Sequence, residues 1–298
     1  MVPPRLHWRL MTTEERLAYE ARVRNRQTAV AAAAGILLML GVIVQIGGPH
    51  VSVSEATLGL ITEHKRFTRD LVGSIFTAFS LLAVGWTLLY LWDATRAREP
   101  GAKPWFLGWV AVAGAVIEAV SVIVYVIAFG SAASDFVSSG SQTYPEAHAL
   151  LGRASLIIGQ IGNYLGLFLI AIAFVLISLN AMRAGLLTKF LGYLGIIAGV
   201  LTIIPLVPIP IVEAYWLLAL AYLLSGRWPS GVPPAWTTGE AVPWPSRQQQ
   251  LGADRGQPAL RGRRARTPEP APETVGAPAP TAGSTRATTP KRKRKRRK

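Results

Sequence analysis

The chain has 298 residues, is 51% hydrophobic, lacks cysteine and carries a formal charge of +15. The missing thiols exclude disulfides, cysteine nucleophiles and thiolate metal centres, and a mean hydropathy of +0.34 excludes a single water-soluble domain. The charge is local, because residues 247–298 hold fifteen Lys or Arg against Asp254, Glu269 and Glu273, a net +12 that leaves +3 for the rest.

Richness in Ala, Gly, Arg and Pro resembles the composition of high-GC bacterial proteins. Residues 1–27 are hydrophilic, with Arg5, Arg9, Arg16, Arg22, Arg24 and Arg26. Thr12 followed by Glu15 reads as a capping box that opens a short surface helix. Six arginines beside the first apolar run predict a cytoplasmic N-terminus. The preceding region is long and partly acidic, and no small-x-small site follows, so the apolar run at 28–46 reads as an uncleaved span, not a signal peptide. The second span is predicted at 71–92, with Gly73, Thr77 and Ser80 near one face. The intervening loop carries Lys65, Arg66 and Arg69, which oppose an outer position for it.

The third span, 105–129, is the one around which the others are read, because it holds a single ionisable acid or base, Glu118, near its centre. A charged residue at a helix centre costs about 2.5–3.5 kcal/mol, whereas thirteen Val, Ile, Leu and Phe residues return roughly 4–8 kcal/mol. The helix therefore inserts despite Glu118. Residues three, four and seven apart share a face. Glu118 thus lies with Ala111, Gly114, Ala115, Ser121 and Tyr125, and opposite Val112, Val116, Val120, Ile123 and Ile127. The small and polar face is predicted to point into the bundle, where a carboxyl without a cationic partner is expected to be partly or wholly protonated at neutral pH.

A Ser/Gly-rich outer loop is expected from Gly130 to Ala154, then a fourth span at 155–179. Gly159, Gly162, Asn163 and Gly166 form one stripe on it, with Gln160 alongside, and small residues at this spacing let helix backbones approach closely. The fifth span, 188–204, repeats the device with Gly192, Gly195 and Gly199. Pro205, Pro208 and Pro210 break the chain, and a sixth span at 210–225 returns it. Counting loops without the distal tail, twelve Lys or Arg fall on the side of both termini and four on the other. The expected architecture is therefore an all-α bundle of six transmembrane helices, 28–225, with both termini in the cytoplasm. A Trp/Pro-rich juxtamembrane segment, 226–246, and a disordered basic tail, 247–298, complete it.

The run N-A-M-R-A-G-L-L-T-K-F-L-G-Y-L-G-I-I-A-G-V-L, from Asn180 to Leu201, resembles the inner loop and following helix of uncharacterised bacterial integral membrane protein families. P-A-W-T-T-G-E-A-V-P-W-P, from Pro234 to Pro245, is similar to a juxtamembrane motif in some of them. The resemblance implies a six-helix body in the bacterial inner membrane. It brings no catalytic residue, because those families have no established reaction.

Candidate intramembrane polar residues are Glu118, Asn163, Gln160, Glu213 and Gln45. They read either as interhelical hydrogen-bonding groups or as the lining of an outward-open cavity. His50, His64 and His148 fall near acids in predicted outer loops, but none has the i, i+4 spacing of an H-E-x-x-H site, so no metal is expected. No P-loop, dinucleotide fingerprint or nucleophile elbow stands in a suitable context, and neither an enzyme nor a cofactor is expected. The terminal octet Lys291 to Lys298 is expected to hold anionic lipid head groups. Nucleic acid is disfavoured as its partner, since the tail offers no aromatic residue for stacking. Two functions stay open: a structural or interaction component of the membrane, and a proton-coupled small-solute transporter or channel using Glu118. A wet cavity reaching Glu118 would separate them.

Overall fold

The computed structural model describes residues 12–46, 56–138, 141–204, 210–229 and 231–242. Among these residues the chain is all-helical, with eight helices: α1 (Thr13–Gln45), α2 (Ala56–Arg98), α3 (Leu107–Ser138), α4 (Tyr144–Leu151), α5 (Ala154–Arg183), α6 (Lys189–Ile203), α7 (Ile211–Leu224) and α8 (Ala235–Thr238). The tail and the residues before Thr12 lie outside the described segments.

Four helices, α1, α2, α3 and α5, are long and apolar enough to cross a membrane, and α6 and α7 are shorter apolar helices of 15 and 14 residues. At about 1.5 Å per residue the four long helices measure roughly 45–64 Å, well beyond a ~30 Å hydrocarbon core. Their flanks therefore project past it. Ile36, Ile43, Phe79, Val120, Ile127, Ile158, Phe168 and Ile197 are all exposed on the outside of the bundle. So much outward apolar surface suits lipid as the solvent.

The helices close into a ring, α1–α2–α3–α5–α6–α7, with α7 packed back on α1. Glycine sets the closest crossings. A Cβ on Gly166 would lie 2.5 Å from the Cβ of Glu118, on Gly159 it would meet the Tyr125 backbone at 3.1 Å, and on Gly162 it would meet Ser121 Oγ at 2.2 Å. These three residues therefore seat α5 on the Glu118 face of α3. On α6, Gly192 lies against Met182, Gly195 against Ser178 and Trp216, and Gly199 against Ala171 and Phe174, which seats α6 on α5 and α7.

Three expectations need correction. The surface helix and first span are a single helix, opened by the Thr12/Glu15 capping box. No proline interrupts its hydrogen-bond ladder and its first glycine is Gly35, so nothing ends it near Arg26. Residues 56–70 are the first turns of α2, not a loop. Residues 130–138 likewise extend α3, and part of the expected loop beyond them forms α4. These extensions bury one another in an apolar cluster of Ala56, Leu60, Phe129, Ala132, Ala133, Phe136, Ala147 and Leu156. The Phe67 ring lies over Gly130, where a Cβ would be 2.1 Å from it.

Two of the three basic residues that oppose an outer position for this end have a structural task. Arg66 Nη2 donates to the carbonyls of Gln45 at 3.4 Å and Ile46 at 3.1 Å, and Arg69 Nε donates to that of Val44. Both arginines thus satisfy the carbonyls that the end of α1 leaves without partners.

At the opposite end, the segment after α7 folds back onto the bundle. Gly185, at φ 77°, ends α5 in a left-handed turn, with Leu186 N–H bonding the Ala181 carbonyl at 2.9 Å. The buried Leu186 carbonyl accepts from Trp236 Nε1 at 3.0 Å, and Tyr90 stacks on the same indole.

Candidate functional site

Inside the ring is a cavity of about 470 Å³, to which all six ring helices contribute. Most of its wall is apolar, including Leu38, Val84, Ile170, Phe174 and Leu217. The polar lining consists of Gln45 from α1, Thr77 and Ser80 from α2, Glu118 from α3, Thr202 from α6 and Glu213 from α7. No Lys, Arg or His lines it among the described residues.

Glu118 is 6% exposed, and its Oε2 has no hydrogen-bond partner within the protein. It reaches this position because α3 turns its face of small residues inward, with Ala111, Gly114, Ala115 and Ser121 also buried, while Val116 and Val120 face out. Gly166 of α5 then covers the Glu118 backbone, and the carboxyl is left to face the cavity.

Glu213 stands in the first turn of α7, where the unpaired N–H groups of a helix start favour an acid. Its Oε1 contacts the Thr202 hydroxyl, which also lies 2.9 Å from the Ala198 carbonyl. A hydroxyl has one hydrogen. The Thr202 hydroxyl is thus shared as a donor between the Ala198 carbonyl and Glu213 Oε1. Gln45 Nε2 donates to Ser74 Oγ at 3.1 Å, and Ser80 Oγ donates to the Ala34 carbonyl at 2.7 Å.

Of the candidate residues, the structure brings Glu118, Glu213 and Gln45 to one cavity and leaves two outside it. Gln160 is exposed on the outer face of α5, with its amide on the Tyr164 hydroxyl at 3.3 Å. One helical step of 100° from Gly159 turns it away from the seam. Asn163 is half-buried at the seam itself with a buried, unpartnered Oδ1, and it does not line the cavity. Thr202 was absent from the expectation; its only sequence signal is a hydroxyl one turn before the Pro break. His64 and His148 are exposed, and His50 lies outside the described residues.

A second polar site, at the far end of the bundle, had no local signal. Arg98 and Glu20 form a buried bidentate ion pair, Nη1–Oε1 2.8 Å and Nη2–Oε2 2.7 Å. Arg98 Nε also donates to the Ala235 carbonyl at 2.8 Å, and its guanidinium lies 4.9 Å from the Trp236 ring centre. One side chain thus joins α1, α2 and the segment after α7. Its planar fork is what permits simultaneous bidentate and stacking contacts.

Comparison with protein-family models, curated proteins and solved structures gives no match. The functional reading accordingly rests on the geometry of this chain.

Proposed function

We propose that this protein is a proton-coupled carrier of a small solute, with Glu118 as the residue that exchanges the proton. The observation behind this reading is a cavity of about 470 Å³ inside a ring of apolar helices, lined by two acids, Glu118 and Glu213, with Glu118 Oε2 buried and without a hydrogen-bond partner. A carboxyl used only to join helices would be expected to have a partner across the interface. A cavity of this size falls within the roughly 300–1,000 Å³ range of small-molecule sites. The activity requires no bond cleavage and no cofactor.

In this reading all six ring helices span the bacterial inner membrane, α6 and α7 as short helices, with both termini in the cytoplasm. The loop charges support that orientation, because the Lys and Arg of the other side include Arg66 and Arg69, which are bound to helix carbonyls. The buried Arg98–Glu20 pair then lies on the cytoplasmic side and the cavity toward the outer half. The basic tail would add affinity for anionic head groups of the inner leaflet, on the order of 1 kcal/mol or less per charge.

The test is solute-dependent proton movement in proteoliposomes containing a pH-sensitive dye, with a chemically varied panel of small solutes. At least one solute should move protons with the wild-type protein and none with Glu118→Gln, whose amide keeps the shape of the side chain. If no solute moves protons, or if the substitution leaves the signal unchanged, Glu118 is a packing group and the protein a structural component.

A further inference from the structure

The two acids of the cavity have no basic side chain among the described residues that line it, and this constrains what can enter. Charge in a low-dielectric site must be balanced locally. When the cavity is empty, a proton on each carboxyl achieves that balance. When it is filled, only a neutral or cationic guest is compatible, because an anion would add charge to a site that already has to bind protons.

The donor set narrows the choice. A hard metal ion takes about six to eight oxygen ligands at short range. This cavity presents two carboxyls, one amide and three hydroxyls, each from a different position around a wide and largely apolar wall. No cluster of three metal-ligating side chains occurs among the described residues. A compact ammonium head beside Glu118 with an apolar body against Leu217, Ile170 and the Phe174 ring matches the distribution better. Aromatic faces attract such heads as well.

We infer that the cavity binds a small organic monocation, an alkyl or aryl ammonium, in exchange for a proton released from Glu118 or Glu213. This inference rests on the carrier reading above and specifies its substrate class. The exchange conserves charge: one cation enters, one O–H bond of a carboxyl breaks, and the proton leaves to water on the side from which the cation came. On the opposite side the steps reverse. Around the cavity, Gln45 on α1, Thr77 and Ser80 on α2 and Thr202 on α6 are uncharged, and α5 contributes only apolar residues. Arg66 and Arg69 hold the α1 carbonyls of Val44 to Ile46 and do not line it. The Thr202 hydroxyl donates to Glu213 and so can hold its carboxylate once the proton has left.

Isothermal titration of the full-length protein in lipid nanodiscs tests this with three benzyl compounds of different charge: benzyltrimethylammonium, benzyl alcohol and phenylacetate. The cation alone should bind, with release of about one proton, read from the difference in heat between buffers of unlike ionisation enthalpy. Its affinity should rise up to about tenfold per pH unit while the released proton is still bound in the empty site. Glu118→Gln should weaken binding at least tenfold without altering the melting temperature. Should that variant fail to fold, Glu213→Gln provides the same reading. Equal binding of the neutral or anionic probe, cation binding without proton release, or no binding of any probe overturns the inference. The dye assay with its wider solute panel decides the carrier reading separately, so a failure here and a failure there are distinguishable.

Discussion

Substituting alanine at Gly166 perturbs the contact that holds α3 and α5 together and sets the position of Glu118. The added Cβ would lie 2.5 Å from the Cβ of Glu118, 2.6 Å from its backbone N and 2.8 Å from its Cα, whereas ordinary contact begins at 3.4 Å. The helices must therefore part locally by about 0.6–0.9 Å, the difference between those distances, because the obstructing atoms are mainly backbone and cannot rotate away. Overpacking of this kind costs about 1–3 kcal/mol. Alanine also favours the helical state by about 0.8–1 kcal/mol over glycine, so the net loss should be ~0–2 kcal/mol.

Gly162→Ala provides the internal reference. It gains the same helical preference, but its Cβ meets the Ser121 hydroxyl at 2.2 Å, an atom that can turn away, with the Ser121 Cβ at 3.2 Å. Gly162→Ala should therefore keep most of that preference, a gain of up to about 1 kcal/mol, and Gly166→Ala, which alone bears the overpacking cost, should be less stable than it by about 1–3 kcal/mol. At roughly 2–4 °C per kcal/mol for a chain of this size, the two melting temperatures should differ by about 2–12 °C. Thermal unfolding in detergent, followed by size-exclusion chromatography of the soluble fraction, measures the difference. Equal melting temperatures, or a less stable Gly162→Ala, would refute the seam as the contact that positions Glu118.

Arg98→Ala should destabilise the protein by about 3–5 kcal/mol because it leaves Glu20 buried and unpaired, and Arg98→Lys should recover only part of the loss, since an ammonium cannot replace the fork; denaturant titration of both variants checks this. Glu63, in the projecting first turns of α2, has its carboxyl raised from 4.5 to about 7 by burial and then by Asp70, with Arg66 opposing. The folded state thus holds a proton that the unfolded state releases, so this contribution is complete below pH ~4.5 and lost as pH rises through about 7. Glu63→Gln should flatten the decline in melting temperature across that window, and an unchanged slope would assign it to other groups. A reporter fused after Pro245 should read cytoplasmic and one inserted between Ser141 and Thr143 should read external; an external reading at the first site removes the six-span orientation.

The sequence by itself determined what depends on neighbours within a few turns. Apolar runs long enough to cross a bilayer are contiguous in the chain, and the 3.6-residue period sorts Glu118 with Gly114 and Ser121 and away from Val116 and Val120. The same period put Gly159, Gly162 and Gly166 on one stripe, since a residue without a side chain is informative wherever backbones must touch. The capping box at Thr12 is equally local. Tertiary structure decided everything that joins distant segments. Residues 56–70 carry too many charges to read as part of a buried helix, yet Leu60 and Phe67 are covered by the end of α3, so the helical ladder continues. Glu20 and Arg98 are 78 residues apart and each reads as an ordinary surface charge in isolation. Only the packing of α1 on α2 removes both from water and makes each the obligatory partner of the other. Glu118, Glu213 and Thr202 likewise meet only because α7 packs back on α1 and closes the ring. Periodicity indicates which side of a helix faces inward, but the groups that share the interior are set by the order in which the helices stand around it.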